Sequence, residues 1–147
     1  MIAALYVVLT YVSSIFGLSS GAIQLRLSEG LCVLPMLSTG AIGGLFVGCI
    51  LSNMLFGGML VDIVFGSIAT LIGAVGTYLL RKKAPWIALI PPVLSNALII
   101  PFVIAYAYGA EQSLLFMFFT VGLGEILSCG VLGVLLFGFL KRSKISL

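Results

Sequence analysis

The stretch Asp62-Ile63-Val64-Phe65-Gly66-Ser67-Ile68-Ala69-Thr70-Leu71-Ile72-Gly73-Ala74-Val75-Gly76-Thr77-Tyr78-Leu79-Leu80-Arg81-Lys82-Lys83 decides how the chain is read. After Asp62 it carries no charge until Arg81, where a run of cations stops it. A helix rising ~1.5 Å per residue needs about 20 apolar residues to span the hydrocarbon core of a bilayer. Basic flanks stay on the cytoplasmic side, so this reads as a transmembrane helix with its Arg81 end inside.

Working outward, apolar segments recur at about 2–18, 25–38, 40–57, 61–80, 86–108 and 112–140. The second is too short to cross comfortably. It contains Pro35 and follows the polar stretch Ser19-Ser20-Gly21-Ala22-Ile23-Gln24-Leu25-Arg26, which reads as a loop feeding a tilted or incomplete helix. Irregular backbone at membrane depth survives only where protein buries it or it lines a wet cavity. Hydrophobic residues make up 62% of the chain and charged residues 7%. Mean hydropathy is +1.34. A soluble domain carries about 25% charged residues, so no soluble fold fits. Apolar segments recur nearly to the last residue, unlike a leader ahead of a polar chain. The expectation is an all-α, polytopic bundle of six transmembrane helices forming one domain over residues 1–147.

Arg81-Lys82-Lys83 and Lys141-Arg142-Lys144 lie two spans apart and face the same side, which puts both termini of a multi-pass cell-membrane protein in the cytoplasm. Loops near 19–27, 57–61 and 109–111 are then external, and Glu29, Asp62 and Glu111 make an acidic outer mouth opposed by Arg26. The net charge of +3 comes from clusters at segment ends, which gives no support to a nucleic-acid partner.

Catalysis finds few materials. Histidine is absent and Asp62 is the single aspartate, which argues against a serine protease using a histidine base and against an aspartyl dyad. No Gly-rich phosphate loop ending in Lys-Ser or Lys-Thr is present, so no P-loop ATPase is encoded. Cys32, Cys49 and Cys129 lie in separate apolar segments without metal spacing and read as small buried hydrophobes. No enzymatic activity, metal or cofactor is expected; a binding or transport role remains.

Small residues recur every fourth position at Gly40, Gly44, Gly48 and Ser52 and at Ala69, Gly73 and Thr77, as close helix packing requires. Other polar residues need a different explanation. A carboxylate at the centre of a spanning helix costs about 2.5–3.5 kcal/mol, which makes each one a candidate site. Glu125 falls roughly 20 Å along its helix from Glu111, and Asn96 roughly 18 Å from Tyr108, so the two have similar depth. Each serves either a ligand or a helix-to-helix hydrogen bond. Asn53 and Asp62 flank the Gly57-Gly58 turn as caps or site residues. Gln24, Arg26 and Glu29 surround the start of the second segment as a pocket rim or a structural tie. Tyr106 and Tyr108 are belt residues or stacking surfaces, and Trp86 beside the basic cluster is an anchor.

With these residues in view, the sequence resembles the QueT family, substrate-binding S components of energy-coupling-factor (ECF) transporters for queuosine precursors. The resemblance rests on Gln24-Leu25-Arg26-Leu27-Ser28-Glu29-Gly30 with Val33-Leu34-Pro35, on Gly44-Leu45-Phe46-Val47-Gly48-Cys49 with Asn53, and on Asp62-Ile63-Val64-Phe65-Gly66-Ser67 running to Tyr78-Leu79-Leu80-Arg81-Lys82. It continues through Pro91-Pro92-Val93-Leu94-Ser95-Asn96-Ala97 and Val121-Gly122-Leu123-Gly124-Glu125. It implies six helices with both termini inside, an outward-opening pocket, and partnership with a transmembrane coupling subunit and two ATPases. The implied ligand is a 7-deazaguanine such as preQ1 or preQ0, whose N–H donors suit carboxylate and amide oxygens. The substrate-binding set would be Glu125, Asn96, Asp62, Asn53, Glu29, Arg26, Gln24 and Tyr106. S components commonly dock through an Ala-xxx-Ala stripe on the first helix. Here Ala3 is followed by Val7 and Ala4 by Val8, so either this docking surface is altered or its first alanine lies upstream of Met1. The rival to an S component is a self-sufficient secondary transporter coupling through Glu125.

Overall fold

The computed structural model describes residues 1–18 and 23–143, so residues 19–22 of the first loop and Lys144 of the second basic cluster lie outside the described residues. Among the described residues the chain forms helices and no strands. They are α1 (Ile2–Ile15), a 3-10 helix (Leu27–Met36), α2 (Gly40–Leu55), α3 (Leu60–Leu79), α4 (Pro85–Ala107) and α5 (Leu114–Arg142). α3, α4 and α5, at 20, 23 and 29 residues, are long and apolar enough to cross a membrane.

The other three are shorter than their apolar stretches. α1 has 14 residues against an expected span of 2–18. It stops because Gly17 takes φ 66°, a left-handed conformation that glycine adopts without a Cβ penalty. α2 ends in the same way ahead of Gly57, at φ 76°.

Close approach between helices is written in their small residues. α3 packs most extensively against α4. A Cβ on Gly73 would lie 2.6 Å from the Pro92 Cα, and one on Gly76 would strike Pro91, so the Pro91-Pro92 pair of α4 lies directly on the α3 backbone. Ser95 Oγ adds a hydrogen bond to the Ala69 carbonyl at 2.9 Å. On α2, Gly44 receives Ile2 and Gly48 receives Ala3 and Tyr6 of α1, whereas Gly40 meets only Ser38.

The 3-10 helix is the centre of the bundle. Its residues from Ser28 to Pro35 are all buried, and Leu31, Cys32, Val33 and Leu34 join one core with Tyr6, Leu45, Ala74, Leu89 and Cys129. Runs of 3-10 helix beyond about four residues are uncommon, and this one is held by neighbours on every side. Its far end, with Ser38 and Thr39, adjoins Tyr78 and Arg81 at the end of α3. Its near end lies at the middle of α5, where the Arg26 N–H donates to Ser128 Oγ at 3.1 Å. The connection from α1 therefore descends into the bundle before the 3-10 helix begins.

That descent exposes backbone groups to a low-dielectric interior, and both side-chain and backbone acceptors satisfy them. The Leu27 N–H donates to Ser13 Oγ at 2.9 Å, and the Leu25 N–H to the Leu18 carbonyl at 2.9 Å. Gly124 makes room, because a Cβ there would strike the Gln24 carbonyl. Beside this contact α5 widens into a π-helical turn over Ile126–Val131, which contains Ser128 and begins directly after Glu125. Such π turns inside α-helices concentrate at functional sites.

Candidate functional site

The descending loop, α3, α4 and α5 converge on one cavity. Gln24, Arg26, Glu29, Asn96 and Glu125 supply its polar wall, with Thr70 beside them, and Gly66, Ile100 and Val121 close the rest. The space between them is about 10 Å³, room for a single water, so the walls must part before a larger guest enters.

The two carboxylates differ. Glu29, 2% exposed, is fully engaged: Oε1 accepts from the Tyr6 hydroxyl at 2.5 Å, and Oε2 accepts from Cys32 Sγ at 3.1 Å and Asn96 Nδ2 at 3.4 Å. Glu125 is 7% exposed and its Oε2 has no hydrogen-bond partner. Asn96 donates to Glu29 and lines the cavity together with Glu125. An unsatisfied buried acceptor costs about 1–3 kcal/mol, and more when charged, so Glu125 Oε2 is an arrangement waiting for a donor. Arg26 lines the same space as both carboxylates.

The expected depth of Glu29 changes. Sequence spacing placed it at an outer acidic mouth with Asp62 and Glu111, but it lies in the bundle interior beside Asn96 and in one cavity with Glu125. The cause is the loop, which carries Arg26 down to Ser128 before the 3-10 helix starts.

Asn53 and Asp62 form an adjacent cluster. Asn53 Nδ2 donates to the Asp62 carbonyl at 3.4 Å, and both side chains lie against Gly66, which lines the cavity. Asp62 Oδ2 accepts from the Tyr108 hydroxyl at 3.0 Å, and that hydroxyl also accepts from the Met59 N–H at 3.2 Å. Burial, with the Asp62 carboxylate adding to it, pushes the Tyr108 phenol above its usual range and keeps it a donor. Tyr108 thus ties the end of α4 to the start of α3. Tyr106 is 81% exposed, stacked on Phe102 on the outer surface of α4, and the structure does not bring it to the cavity. On α1, Ala3 packs on Gly48, Val7 is half-buried and Ala4 is exposed.

Sequence reasoning passed over Tyr6, Ser13 and Ser128. Ser13 and Ser128 resemble any small residue of a spanning helix until the loop that uses them is in place. Tyr6 carried a visible signal, a phenol within the apolar first half of α1 that needs a partner at that depth. Among the described residues no cluster of metal-ligating side chains exists.

The family model of the QueT transporter matches residues 1–142. The chain belongs to the QueT transporter family. No curated protein and no solved structure matches it significantly. Membership of the QueT family makes this a membrane transport protein for a small molecule rather than an enzyme.

Proposed function

We propose that the chain is the substrate-binding S component of an ECF importer and captures a queuosine precursor, a 7-deazaguanine such as preQ1 or preQ0. Glu125 is the principal acceptor for the N–H groups of the guanine-like edge, with Asn96 beside it. The observation that carries this reading is the Glu125 Oε2 atom, buried without a donor in a wall otherwise made of Gln24, Arg26, Glu29 and Asn96. A guanine-like edge offers adjacent N–H donors for a carboxylate and a carbonyl oxygen for a guanidinium such as Arg26. Two carboxylates against one guanidinium also suit the cationic arm of preQ1. The chain encodes no P-loop, so the driving force comes from a transmembrane coupling subunit and two ATPases. Both basic clusters face the cytoplasm in this reading.

Uptake tests the assignment. Cells carrying the chain with its coupling subunit and ATPases accumulate labelled preQ1, and uptake vanishes when the coupling subunit is deleted. Undiminished uptake by the chain alone, in cells or in liposomes, supports a self-sufficient secondary transporter and overturns the S-component reading.

A further inference from the structure

Tyr6 does not line the cavity, yet it is the most deeply buried large side chain of α1, at 1% exposure. Its ring is fixed from behind: a Cβ on Gly48 would lie 2.8 Å from the Tyr6 Cβ and 3.1 Å from its Cγ, so α2 leaves the ring no freedom to retreat. Its hydroxyl reaches Glu29 Oε1 at 2.5 Å, the one described donor to that oxygen. The other carboxylate oxygen is shared by Cys32 Sγ and Asn96 Nδ2. Asn96 and Glu125 line the same cavity. A polar chain thus runs from α1 through the 3-10 helix to α4, with every member buried, and ends at the cavity that Glu125 lines from α5.

We propose that Tyr6 is a positioning residue for ligand capture, acting through Glu29 to hold the Asn96 amide beside the Glu125 carboxylate. This rests on the reading of the cavity as a deazaguanine site. A buried carboxylate with fewer donors than it needs turns toward whatever donors remain. Without the phenol, Glu29 rotates toward the cavity or takes both hydrogens of the Asn96 amide. Either change removes Asn96 from its place beside Glu125 and puts a second carboxylate where the ligand enters. Tyr6 therefore acts on affinity without touching the ligand, and its effect requires Glu29.

The test uses the full chain in detergent with preQ1 and preQ0 as titrants, comparing wild type with Tyr6→Phe, Glu29→Gln and the double variant. Phenylalanine keeps the ring against Gly48 and removes only the hydroxyl. Tyr6→Phe is expected to weaken preQ1 binding by about tenfold. Adding it to Glu29→Gln changes affinity by less than about twofold, the signature of two residues acting as one unit. Because Glu29 gains freedom to turn into the cavity, the ratio of preQ1 to preQ0 affinity also shifts in Tyr6→Phe by more than about threefold, toward the cationic ligand. A residue that only supports the fold lowers both affinities equally and leaves that ratio fixed. Affinity of Tyr6→Phe within twofold of wild type, or losses that multiply in the double variant, overturns the inference. Should Glu29→Gln fail to fold, the ratio alone decides, and an unchanged ratio overturns it. A wild-type chain that binds no deazaguanine removes the functional reading and this inference with it, whereas wild-type binding with an unaffected Tyr6→Phe removes this inference alone.

Discussion

Replacing Glu125 with glutamine preserves the side-chain volume at a position where shape is fully constrained, but it exchanges a carboxylate oxygen for an amide N–H. The atom concerned is buried and has no donor from the protein, so in the ligand-free chain the change removes a buried charge without breaking a bond to that atom. The ligand-free protein is therefore expected to keep or gain thermal stability, because burying an unpaired charge costs more than burying a neutral amide. Ligand affinity moves in the opposite direction. A hydrogen bond to a charged acceptor contributes about 1.5–3 kcal/mol, which converts to roughly a ten- to hundredfold rise in Kd for preQ1. Calorimetric titration and thermal denaturation of one purified variant read both quantities. If Glu125 were only a tie to Asn96, the same substitution would lower the melting temperature and leave affinity within about twofold, and that pair of results would refute the reasoning.

Three further outcomes follow from the geometry. Gly124→Ala pushes a Cβ into the Gln24 carbonyl and displaces the loop that carries Gln24 and Arg26, so preQ1 affinity should fall by about tenfold while α5 remains helical by circular dichroism. Tyr108→Phe removes the hydroxyl shared by Asp62 and Met59, and it should lower stability by about 1 kcal/mol in a denaturation assay with little change in ligand affinity. Impermeant thiol reagents added outside should label a cysteine placed at Glu111 but not one placed at Lys83, and external labelling at Lys83 would reverse the assigned orientation.

The bundle was legible because hydropathy and basic flanks report directly on transfer into lipid, which is why the cores of α3, α4 and α5 fall where the apolar segments predict them. Hydropathy is silent on hydrogen-bond register. Nothing in Ser28 to Pro35 distinguishes a 3-10 helix from a short α-helix, and nothing in Ile126–Val131 announces a π turn, since both depend on what packs around them. The site divides along the same line. Asn96 and Glu125 stood out because polar groups are expensive inside a membrane and Glu29 as part of a pocket rim, and the structure brings all three to one cavity. Depth counted along straight helices put Glu29 too near the surface, since counting cannot anticipate a loop that dives to Ser128. Tyr106 was singled out by its chemistry, but aromatic rings serve lipid interfaces as readily as ligands, and its position on α4 turns it outward.

The central claim is that this chain alone captures a deazaguanine through Glu125. Calorimetric titration of preQ1 into the purified chain, without coupling subunit or ATPases, tests it most directly. The expected result is saturable one-to-one binding that preQ0 competes for and that Glu125→Gln weakens by roughly ten- to a hundredfold. Absence of binding by the well-folded chain, or binding of full strength in Glu125→Gln, would contradict it.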